Sequence, residues 1–387
     1  MLQIAKMARN CGFRVFTCCP DSRTNRERKD DDTLFIGNRL GRYLHILLAR
    51  FFGIDGFFSI ISTLSFIKRM EKEKCDLIHL HNIHGNYINY PILFTYIKKK
   101  NIPVVWTLHD CWTFTGRCPY FDMINCFKWK SGCCKCKYSK DAYPQSKLDN
   151  TRLMWLVKRK LFTNIKKCTL VTPSMWLSNL VHDSFLNVYS VETIYNGIDL
   201  NVFRPMKSDL RQRFGLEAKK VILGVAFEWE RRKGLDIFVE LSKVLTNDYK
   251  IILVGTNDYI DKFLPSSILS IHRTQSQEEL AQFYSIADVF VNPTREEVWG
   301  MVNIESLACG TPVVSFDTGG CPECVIPSCG AVVKKNDVEC LVKEIDKICK
   351  QNSIKRENCL ERAQVFDRND QYRKYVDLYK KMIEEKL

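Results

Sequence analysis

Short runs of apolar residues alternate with segments of helical periodicity along almost the whole chain. In the first half, these runs predict strands at Phe13–Cys19, Leu77–Asn82, Pro103–His109, Thr169–Ser174 and Val191–Tyr195. In the second half, similar runs predict strands at 221–226, 251–255, 268–272, 289–293 and 312–316. Continuously apolar strands joined by helices are typical of parallel sheets that are covered on both faces. The alternation therefore predicts an α/β protein.

The two halves of the pattern predict two Rossmann-like domains, each with a doubly wound parallel sheet. A length of 387 residues agrees with two domains. The segment NGIDLNVFRP (196–205) contains Gly197 and Pro205 and is typical of a hinge. We therefore place the first domain at 1–198, the second at 199–369, and a C-terminal helix at 370–387 that can pack back on the first domain.

The chain opens on a helical pattern followed by a strand. A doubly wound domain begins instead with a strand and its Gly-rich turn, so we expect a further unit of about 15–25 residues ahead of Met1. The first domain is then N-terminally incomplete; the alternative is a domain that begins differently. The opening lacks the pattern of a signal peptide. The apolar stretch 43–67 is interrupted by His45, Arg50 and Asp55, which argues against a transmembrane helix.

Charge is distributed unevenly along the chain, whose formal net charge is +14. Residues 1–198 carry 30 basic and 15 acidic side chains, a net +15, whereas residues 199–387 carry 28 and 29, a net −1. A basic half indicates an anionic partner, either a nucleic acid, a membrane surface or a phosphorylated substrate. Without a nucleic-acid-binding motif, we expect no nucleic-acid partner. The 18 cysteines without a secretion signal indicate a reducing compartment, so we expect a cytoplasmic location.

One predicted helix of the basic half, near 40–52, has an apolar stripe with arginines beside it. The residues of the stripe and its arginines are Leu40, Tyr43, Leu44, Leu47, Leu48 and Phe51, with Arg39, Arg42 and Arg50. We expect the stripe to pack against the first sheet. The alternative is a basic amphipathic surface that touches anionic lipid.

The segment NPTREEVWGMVNIESLACGTPVVSFDTGGCPE (292–323) contains the most informative candidate chemistry. Glu297 precedes a predicted helix and Glu305 lies inside it. Two carboxylates in this arrangement can converge on a polyhydroxyl ligand. The free N–H groups at the helix start, near Gly300–Val302, can bind a phosphate. For two isolated glutamates, the alternative is an ordinary surface position.

This segment resembles the retaining glycosyltransferases of family 4 (group 1), which use nucleotide-sugar donors. Their GT-B fold consists of two Rossmann-like domains that face each other across a cleft. The resemblance rests on the spacing Glu-x7-Glu with its trailing ACG-PVV and GG-PE, which is specific. It continues, in the expected order, in HLHNIHG (79–85), TLHD (107–110), PSMWL (173–177), NGID (196–199), RKG (232–234) and ELAQFYSIADVFVNPT (279–294). It therefore covers nearly the whole chain.

The resemblance implies a role for each matching residue. Glu305 would bind the ribose of the donor nucleotide and Glu297 the transferred sugar, while Lys233 would neutralise the diphosphate leaving group, where negative charge develops. The implied catalytic residues are His109, Glu297 and Lys233. The implied donor-binding residues are Arg232, Lys233, Glu297, Gly300, Met301, Val302 and Glu305, and the cleft candidates are His84, Gly85, Asp110 and Asn196.

The activity implied by the resemblance is a retaining, metal-independent hexosyl transfer. The acceptor would be a saccharide or a lipid-diphosphate-linked saccharide in bacterial surface polysaccharide synthesis, and the basic half fits peripheral contact with the inner face of the cytoplasmic membrane. No cofactor is required for catalysis. The alternatives are a GT-B nucleotide-sugar epimerase and a non-catalytic remnant that binds a nucleotide sugar. One position departs from the family, because Glu228 stands where members often carry an arginine.

Four cysteines form a second candidate site, with the spacing C-x7-C-x6-C-x2-C. They are Cys118, Cys126, Cys133 and Cys136. Four thiolates within one loop suit a tetrahedral structural zinc site, and the alternative is a set of reduced cysteines packed in an aromatic-rich loop. The pattern H-x-H-x2-H, formed by His79, His81 and His84, also permits a metal site. For these histidines we expect packing rather than metal binding.

Overall fold

The computed structural model describes residues 1–138 and 145–384. The chain divides into two compact units. The first consists of Met1–Ile194 and the C-terminal segment from Tyr372, and the second is Tyr195–Gln371. The predicted domain limits of 1–198, 199–369 and 370–387 stay predictions. Parallel strands and helices alternate in both units, as the apolar pattern predicts.

The first unit contains six short strands in two separate sheets. The strands are β1 (Thr17–Pro20), β2 (Thr33–Ile36), β3 (Ile78–Leu80), β4 (Val104–Thr107), β5 (Cys168–Thr172) and β6 (Ser190–Thr193). The helices are α1 (Leu2–Asn10), α2 (Arg23–Glu27), α3 (Arg39–Phe52), α4 (Ile60–Glu73), α5 (Tyr90–Lys100), α6 (Thr151–Phe162) and α7 (Met175–His182). Strands β3, β4, β5 and β6 form one parallel sheet in that order, and β1 pairs with β2 in a parallel sheet of its own.

A cavity of about 820 Å³ is lined by both sheets of the first unit. Within the described residues, β1 pairs only with β2 and β3 pairs only with β4, so each has a free edge. Both strands line the cavity together with Met1 and Ile4. The single sheet that the sequence predicts is therefore divided in two. The expected upstream strand stays a prediction.

The second unit is built on one parallel sheet of six strands. The strands are β7 (Lys220–Val225), β8 (Tyr249–Val254), β9 (Ile268–Ile271), β10 (Val289–Asn292), β11 (Val313–Phe316) and β12 (Gly330–Val333). The helices are α8 (Leu210–Arg213), α9 (Leu235–Val244), α10 (Asp258–Asp261), α11 (Gln277–Ile286), α12 (Met301–Ala308), α13 (Cys321–Cys324), α14 (Val338–Gln351), α15 (Arg356–Gln364) and α16 (Arg368–Glu384). Most of α16 belongs to the first unit.

The strand order of this parallel sheet is β12-β11-β10-β7-β8-β9. The order in which the chain adds strands to the sheet reverses between β7 and β10. From β7 the chain proceeds to β8 on one side, whereas from β10 it proceeds to β11 on the other. The loops that follow β7 and β10 therefore diverge at the carboxyl edge of the sheet. Ligands of open α/β sheets bind in the opening that such a divergence creates.

Helix α3 of the first unit presents its apolar stripe to solvent. The exposed fractions are 79% for Leu40, 65% for Leu47 and 49% for Phe51, whereas His45 and Ala49 on the opposite face are buried. The prediction that this stripe packs against the sheet is therefore wrong. In the described parts of the chain, the helices are too short or too polar to cross a membrane.

Candidate functional site

The loops after β7 and β10 are joined by an ion pair. Lys233 ends the short 3₁₀ turn Arg231–Lys233, and its Nζ donates to Glu297 Oε2 at 2.6 Å. Both side chains are about one-fifth exposed, so ligands can reach them while bulk water is restricted. The structure thus brings two of the three predicted catalytic residues together at the switch point of the second sheet.

Two glycines allow the β10 loop to take this course. Gly300, just before α12, has φ 83°, and a Cβ there would lie 2.9 Å from Cys321 Sγ. Gly319 has φ 56°, and a Cβ there would lie 1.6 Å from the carbonyl oxygen of Glu297. Only glycine combines a left-handed conformation with such close contacts. The loop after β11 can therefore lie directly against the backbone of Glu297. The N–H groups at the start of α12, at Met301 and Val302, are placed where a helix can bind an anion.

Glu305 lies on α12 and is held by a tyrosine of the preceding helix. Tyr284, on α11, is fully buried and donates its hydroxyl to Glu305 Oε2 at 2.9 Å. Burial raises the pKa of the Glu305 carboxyl to about 7, and the hydrogen bond from Tyr284 partly opposes that rise. A carboxylate with this pKa can accept hydrogen bonds from a diol when ionised, and its charge state changes near neutral pH.

Arg295 anchors the lysine-bearing turn, although no motif in the sequence analysis pointed to it. Its side chain is buried and forms a bidentate pair with Asp236 at 2.7 and 2.8 Å. It also donates to the carbonyl of Arg231 and, at 2.7 Å, to Asn336. Although burial acts to raise it, the hydrogen bonds from Arg295 lower the pKa of Asp236. Arg295 therefore connects the β10 loop to the turn that ends at Lys233.

Two further charged residues lie near Lys233. Arg232 Nε donates to Glu230 at 2.8 Å, and the Arg232 carbonyl accepts the N–H of Arg295 at 2.8 Å. Glu228, the departure from the family pattern, is exposed. Lys233 is a cation that the structure places against Glu297.

A group of histidines forms the candidate site of the first unit. His81 follows β3 and His109 follows the neighbouring strand β4, and His81 Nδ1 lies 3.0 Å from His109 Nε2. His79, on β3, contacts the hydroxyls of Thr107 at 2.8 Å and Tyr379 at 2.6 Å. Burial, and next the ammonium group of Met1, lower the pKa of His109 to about 4. The imidazole is therefore neutral at pH 7 and can form hydrogen bonds without carrying a charge.

The cleft candidates extend from this histidine group. His84 Nε2 lies 3.2 Å from Asp110 Oδ2, and its ring stacks on Trp112 at 4.8 Å. Gly85 accepts a hydrogen bond from Arg42 of α3 at 3.2 Å, so this segment is tied to that helix. Asn196 lies in the second unit. Its role stays a prediction.

The four cysteines of the predicted zinc site are free thiols, as are all 18 cysteines. Cys133 Sγ accepts the N–H of Gly116 at 3.1 Å. Burial and then the neighbouring thiols Cys136, Cys133 and Cys126 raise the pKa of Cys118 to about 12. Among residues 1–138 and 145–384, no three or more His, Cys, Asp or Glu side chains are arranged to hold a metal ion. The zinc site therefore stays a prediction without geometric support.

Two family models together match nearly the whole chain. The model described as "Glycosyltransferase Family 4" matches residues 1–202, and that described as "Glycosyl transferases group 1" matches residues 206–366. The chain belongs to glycosyltransferase family 4. It is therefore a glycosyltransferase, and the resemblance inferred from the Glu-x7-Glu segment is confirmed.

Similar proteins come from several bacteria. The chain is 27% identical to the Escherichia coli K12 protein named as the colanic acid biosynthesis glycosyl transferase WcaC, over 69% of the chain and 66% of that protein. It is 23% identical to an uncharacterized protein of the cps region of Klebsiella pneumoniae, over 94% and 90%. A D-inositol 3-phosphate glycosyltransferase of Mycobacteroides abscessus is 30% identical, over 35% of the chain and 33% of that protein.

Solved structures establish the fold of this family 4 glycosyltransferase. Sucrose-phosphate synthase from Thermosynechococcus elongatus matches with a TM-score of 0.73 and 20% identity, over 99% of the chain and 92% of that structure. Anabaena HepE in complex with UDP-glucose matches with a TM-score of 0.61 and 17% identity, over 83% and 82%. The predicted GT-B fold is confirmed.

Proposed function

We propose that the chain transfers a sugar from a nucleotide-sugar donor, with retention of configuration, to a lipid-linked saccharide of a bacterial surface polysaccharide. The observation that carries the proposal is the Lys233–Glu297 pair beside the start of α12, with Glu305 one helix turn further on. In the proposal, Lys233 binds the diphosphate of the nucleotide sugar, Glu297 binds its sugar and Glu305 binds its ribose. The related structure of HepE holds UDP-glucose, which supports a uridine diphosphate donor.

The charges of the second unit suit departure of a nucleoside diphosphate. When a donor binds, its diphosphate takes Lys233 as a partner, and Glu297 becomes available to a hydroxyl of the transferred sugar. The bond between the anomeric carbon and the diphosphate oxygen then breaks as the acceptor oxygen bonds to the same face of that carbon. The acceptor proton passes to a leaving phosphate oxygen. Lys233 and the N–H groups at Met301 and Val302 stabilise the charge that develops on the diphosphate, so neither a metal ion nor a protein nucleophile is needed.

The relatives support a role in surface polysaccharide synthesis. One is named for colanic acid biosynthesis and another lies in a cps region. The net charge of +15 on residues 1–198 supports an acceptor on a lipid phosphate at the inner face of the cytoplasmic membrane. The family resemblance gives His109 of the first unit a catalytic role, which the proposal keeps as that of a neutral hydrogen-bonding group.

Binding and transfer with a panel of UDP-, GDP- and ADP-sugars test this function. We expect one nucleotide class to bind by calorimetry, and Glu305→Gln to weaken that binding by about tenfold or more, since a hydrogen bond to a charged group is lost. Glu339→Gln, at an exposed position of α14, is the matched control and should bind like wild type. Unchanged binding by Glu305→Gln would contradict the donor site.

The product distinguishes transfer from the alternatives. A glycosylated acceptor with the donor's anomeric configuration supports the proposed transferase. An epimerised free sugar would assign the chain to the nucleotide-sugar epimerases, and donor binding without any product would indicate a non-catalytic protein.

A further inference from the structure

Exposed apolar side chains lie on α3 and at the beginning of α4 in the first unit. We call this set of side chains the α3–α4 face. Its α3 residues are Leu40, Tyr43, Leu44, Leu47 and Phe51, which are 79%, 67%, 56%, 65% and 49% exposed. Its α4 residues are Ile60, Ile61 and Leu64, which are 52%, 84% and 47% exposed. The α3 residues recur every three or four positions, so they occupy one side of the helix.

The orientation of α3 is determined by contacts on its opposite side. His45 is buried, its Nδ1 lies 2.8 Å from the Ser59 hydroxyl at the start of α4, and its Nε2 accepts the N–H of Gly56. Asn38 caps the beginning of the helix through the N–H of Gly41, and Gly53 ends it in a left-handed conformation. The helix is therefore held with its apolar side outward, and α4 begins next to it.

The charge beside this face is positive. Arg39 and Arg50 are exposed on the same flank of the apolar stripe. From residue 33 to residue 70 the sequence has a single carboxylate, Asp55, and that side chain is buried and accepts a hydrogen bond from Trp112. Within residues 33–70, an apolar stripe with arginines at its margin and no exposed carboxylate is complementary to a bilayer with anionic headgroups, where the apolar side chains enter the acyl boundary and the guanidinium groups meet phosphate.

We propose that the α3–α4 face docks this protein on an anionic lipid bilayer. Arg42 of the same helix donates to the carbonyl of Gly85, next to His84 and its partner Asp110. The docked helix is therefore connected directly to the candidate site of the first unit. The inference rests on the proposed function and adds to it the surface that meets the membrane. Because vesicle binding is measured without a donor, membrane docking can fail while the proposed glycosyl transfer stands, and the reverse.

Cosedimentation with large unilamellar vesicles tests the proposal on the full chain. Vesicles of phosphatidylcholine alone are compared with vesicles that contain about one-third phosphatidylglycerol. We expect binding to the anionic vesicles, with weaker binding at higher salt because ions screen the headgroup charge. The double variant Leu44→Glu/Leu47→Glu should lose about tenfold or more in affinity, since two side chains can no longer enter the bilayer.

The matched control carries the same change on the second unit. Val244 and Phe263 are 57% and 65% exposed, close to the 56% and 65% of Leu44 and Leu47. Val244→Glu/Phe263→Glu should bind vesicles like wild type. Arg39→Gln and Arg50→Gln should each weaken binding by about fivefold, whereas Arg152→Gln, exposed on α6, should leave it unchanged.

The outcomes that overturn the proposal are specific. The proposal is wrong if the wild-type protein does not bind anionic vesicles. It is also wrong if the Leu44→Glu/Leu47→Glu variant keeps its melting temperature and binds anionic vesicles as tightly as wild type. A dimer seen by light scattering that this variant dissociates, without any vesicle binding, would assign the face to a second copy of the chain instead.

Discussion

Lys233 and Glu297 are 64 residues apart in the sequence, yet Nζ and Oε2 are 2.6 Å apart in the structure. The pair joins the loops that follow β7 and β10, which are neighbours in the sheet. Without a donor, each charge compensates the other at a partly buried position. In the proposed function the diphosphate replaces Glu297 as the partner of Lys233, so the lysine is positioned before the donor arrives.

Removing the charge of Lys233 should therefore abolish most of the transfer activity. We expect Lys233→Met to lower kcat/KM for transfer by about 10²–10³, the range found when one group that stabilises transition-state charge is removed. Lys243→Met, at an exposed position near the end of α9, controls for the loss of a positive charge. Near-wild-type transfer by Lys233→Met would contradict the assignment of Lys233 to the leaving group.

Glu305 should make donor binding depend on pH. Its pKa of about 7 applies to the free protein, and the ionised form is the better acceptor for ribose hydroxyls. Binding then releases a proton below pH 7, so the Kd for the nucleotide should fall as pH rises from 6 to 8 and level off above pH 8, with a slope approaching tenfold per pH unit at the acid end. Calorimetry in buffers of different ionisation enthalpy measures both the Kd and the proton release.

The same carboxyl links pH to stability. Its folded-state pKa lies above the ordinary glutamate value of 4.5, so ionisation costs stability as pH rises from that value through about 7. Glu305→Gln should therefore have a melting temperature at or above that of wild type at pH 8, while its donor affinity no longer varies between pH 6 and 8. A variant that melts lower at pH 8 would show that the ionised Glu305 stabilises the fold.

Arg295 should act as a positioning residue for Lys233. Arg295→Gln removes the bidentate pair with Asp236 and the contact with the Arg231 carbonyl, so we expect a loss of about 2–3 kcal/mol in the free energy of unfolding and a lower kcat. Asp236→Asn leaves the contact with the Arg231 carbonyl intact. It should lose stability but keep a kcat closer to wild type. If Arg295→Gln and Asp236→Asn lower kcat equally, Arg295 stabilises the fold but does not position Lys233.

The predicted zinc site, formed by Cys118, Cys126, Cys133 and Cys136, can be tested without an assay of glycosyl transfer. If it holds a structural zinc ion, purified protein will contain about one zinc ion per chain, and a chelator will lower its melting temperature. Cys133→Ser should reduce the zinc content, whereas Cys340→Ser, at another partly exposed cysteine, should not. Less than stoichiometric zinc together with a melting temperature that a chelator leaves unchanged would rule the site out.

The buried strands of the second sheet were the most predictable part of the fold. Strands β7, β8, β10 and β11 are buried at almost every position. Each therefore appears in the sequence as a continuous apolar run, which predicts a strand. Strand β12 was missed because two of its four residues are not buried, which weakens the apolar run. The short strand β2 was missed for the same reason, since only Ile36 is buried.

Part of the candidate site could also be predicted. Glu297 and Glu305 flank the start of one helix, so local spacing is enough to place them near each other. The pairs Lys233–Glu297 and His81–His109 and the anchor Arg295 join segments that are distant in sequence. Their proximity depends on which strands are neighbours in the sheets, and hydrophobic periodicity does not specify strand order.

Helix α3 shows the same division between sequence and tertiary structure. By itself the sequence determined that residues 40–51 form an amphipathic helix, because apolar side chains three or four positions apart must share one side. It could not determine whether that side meets the sheet or the solvent, since periodicity describes a helix and not its surroundings. The tertiary structure decided this through His45, Gly56 and Ser59, whose contacts hold the polar side inward and leave the apolar side exposed.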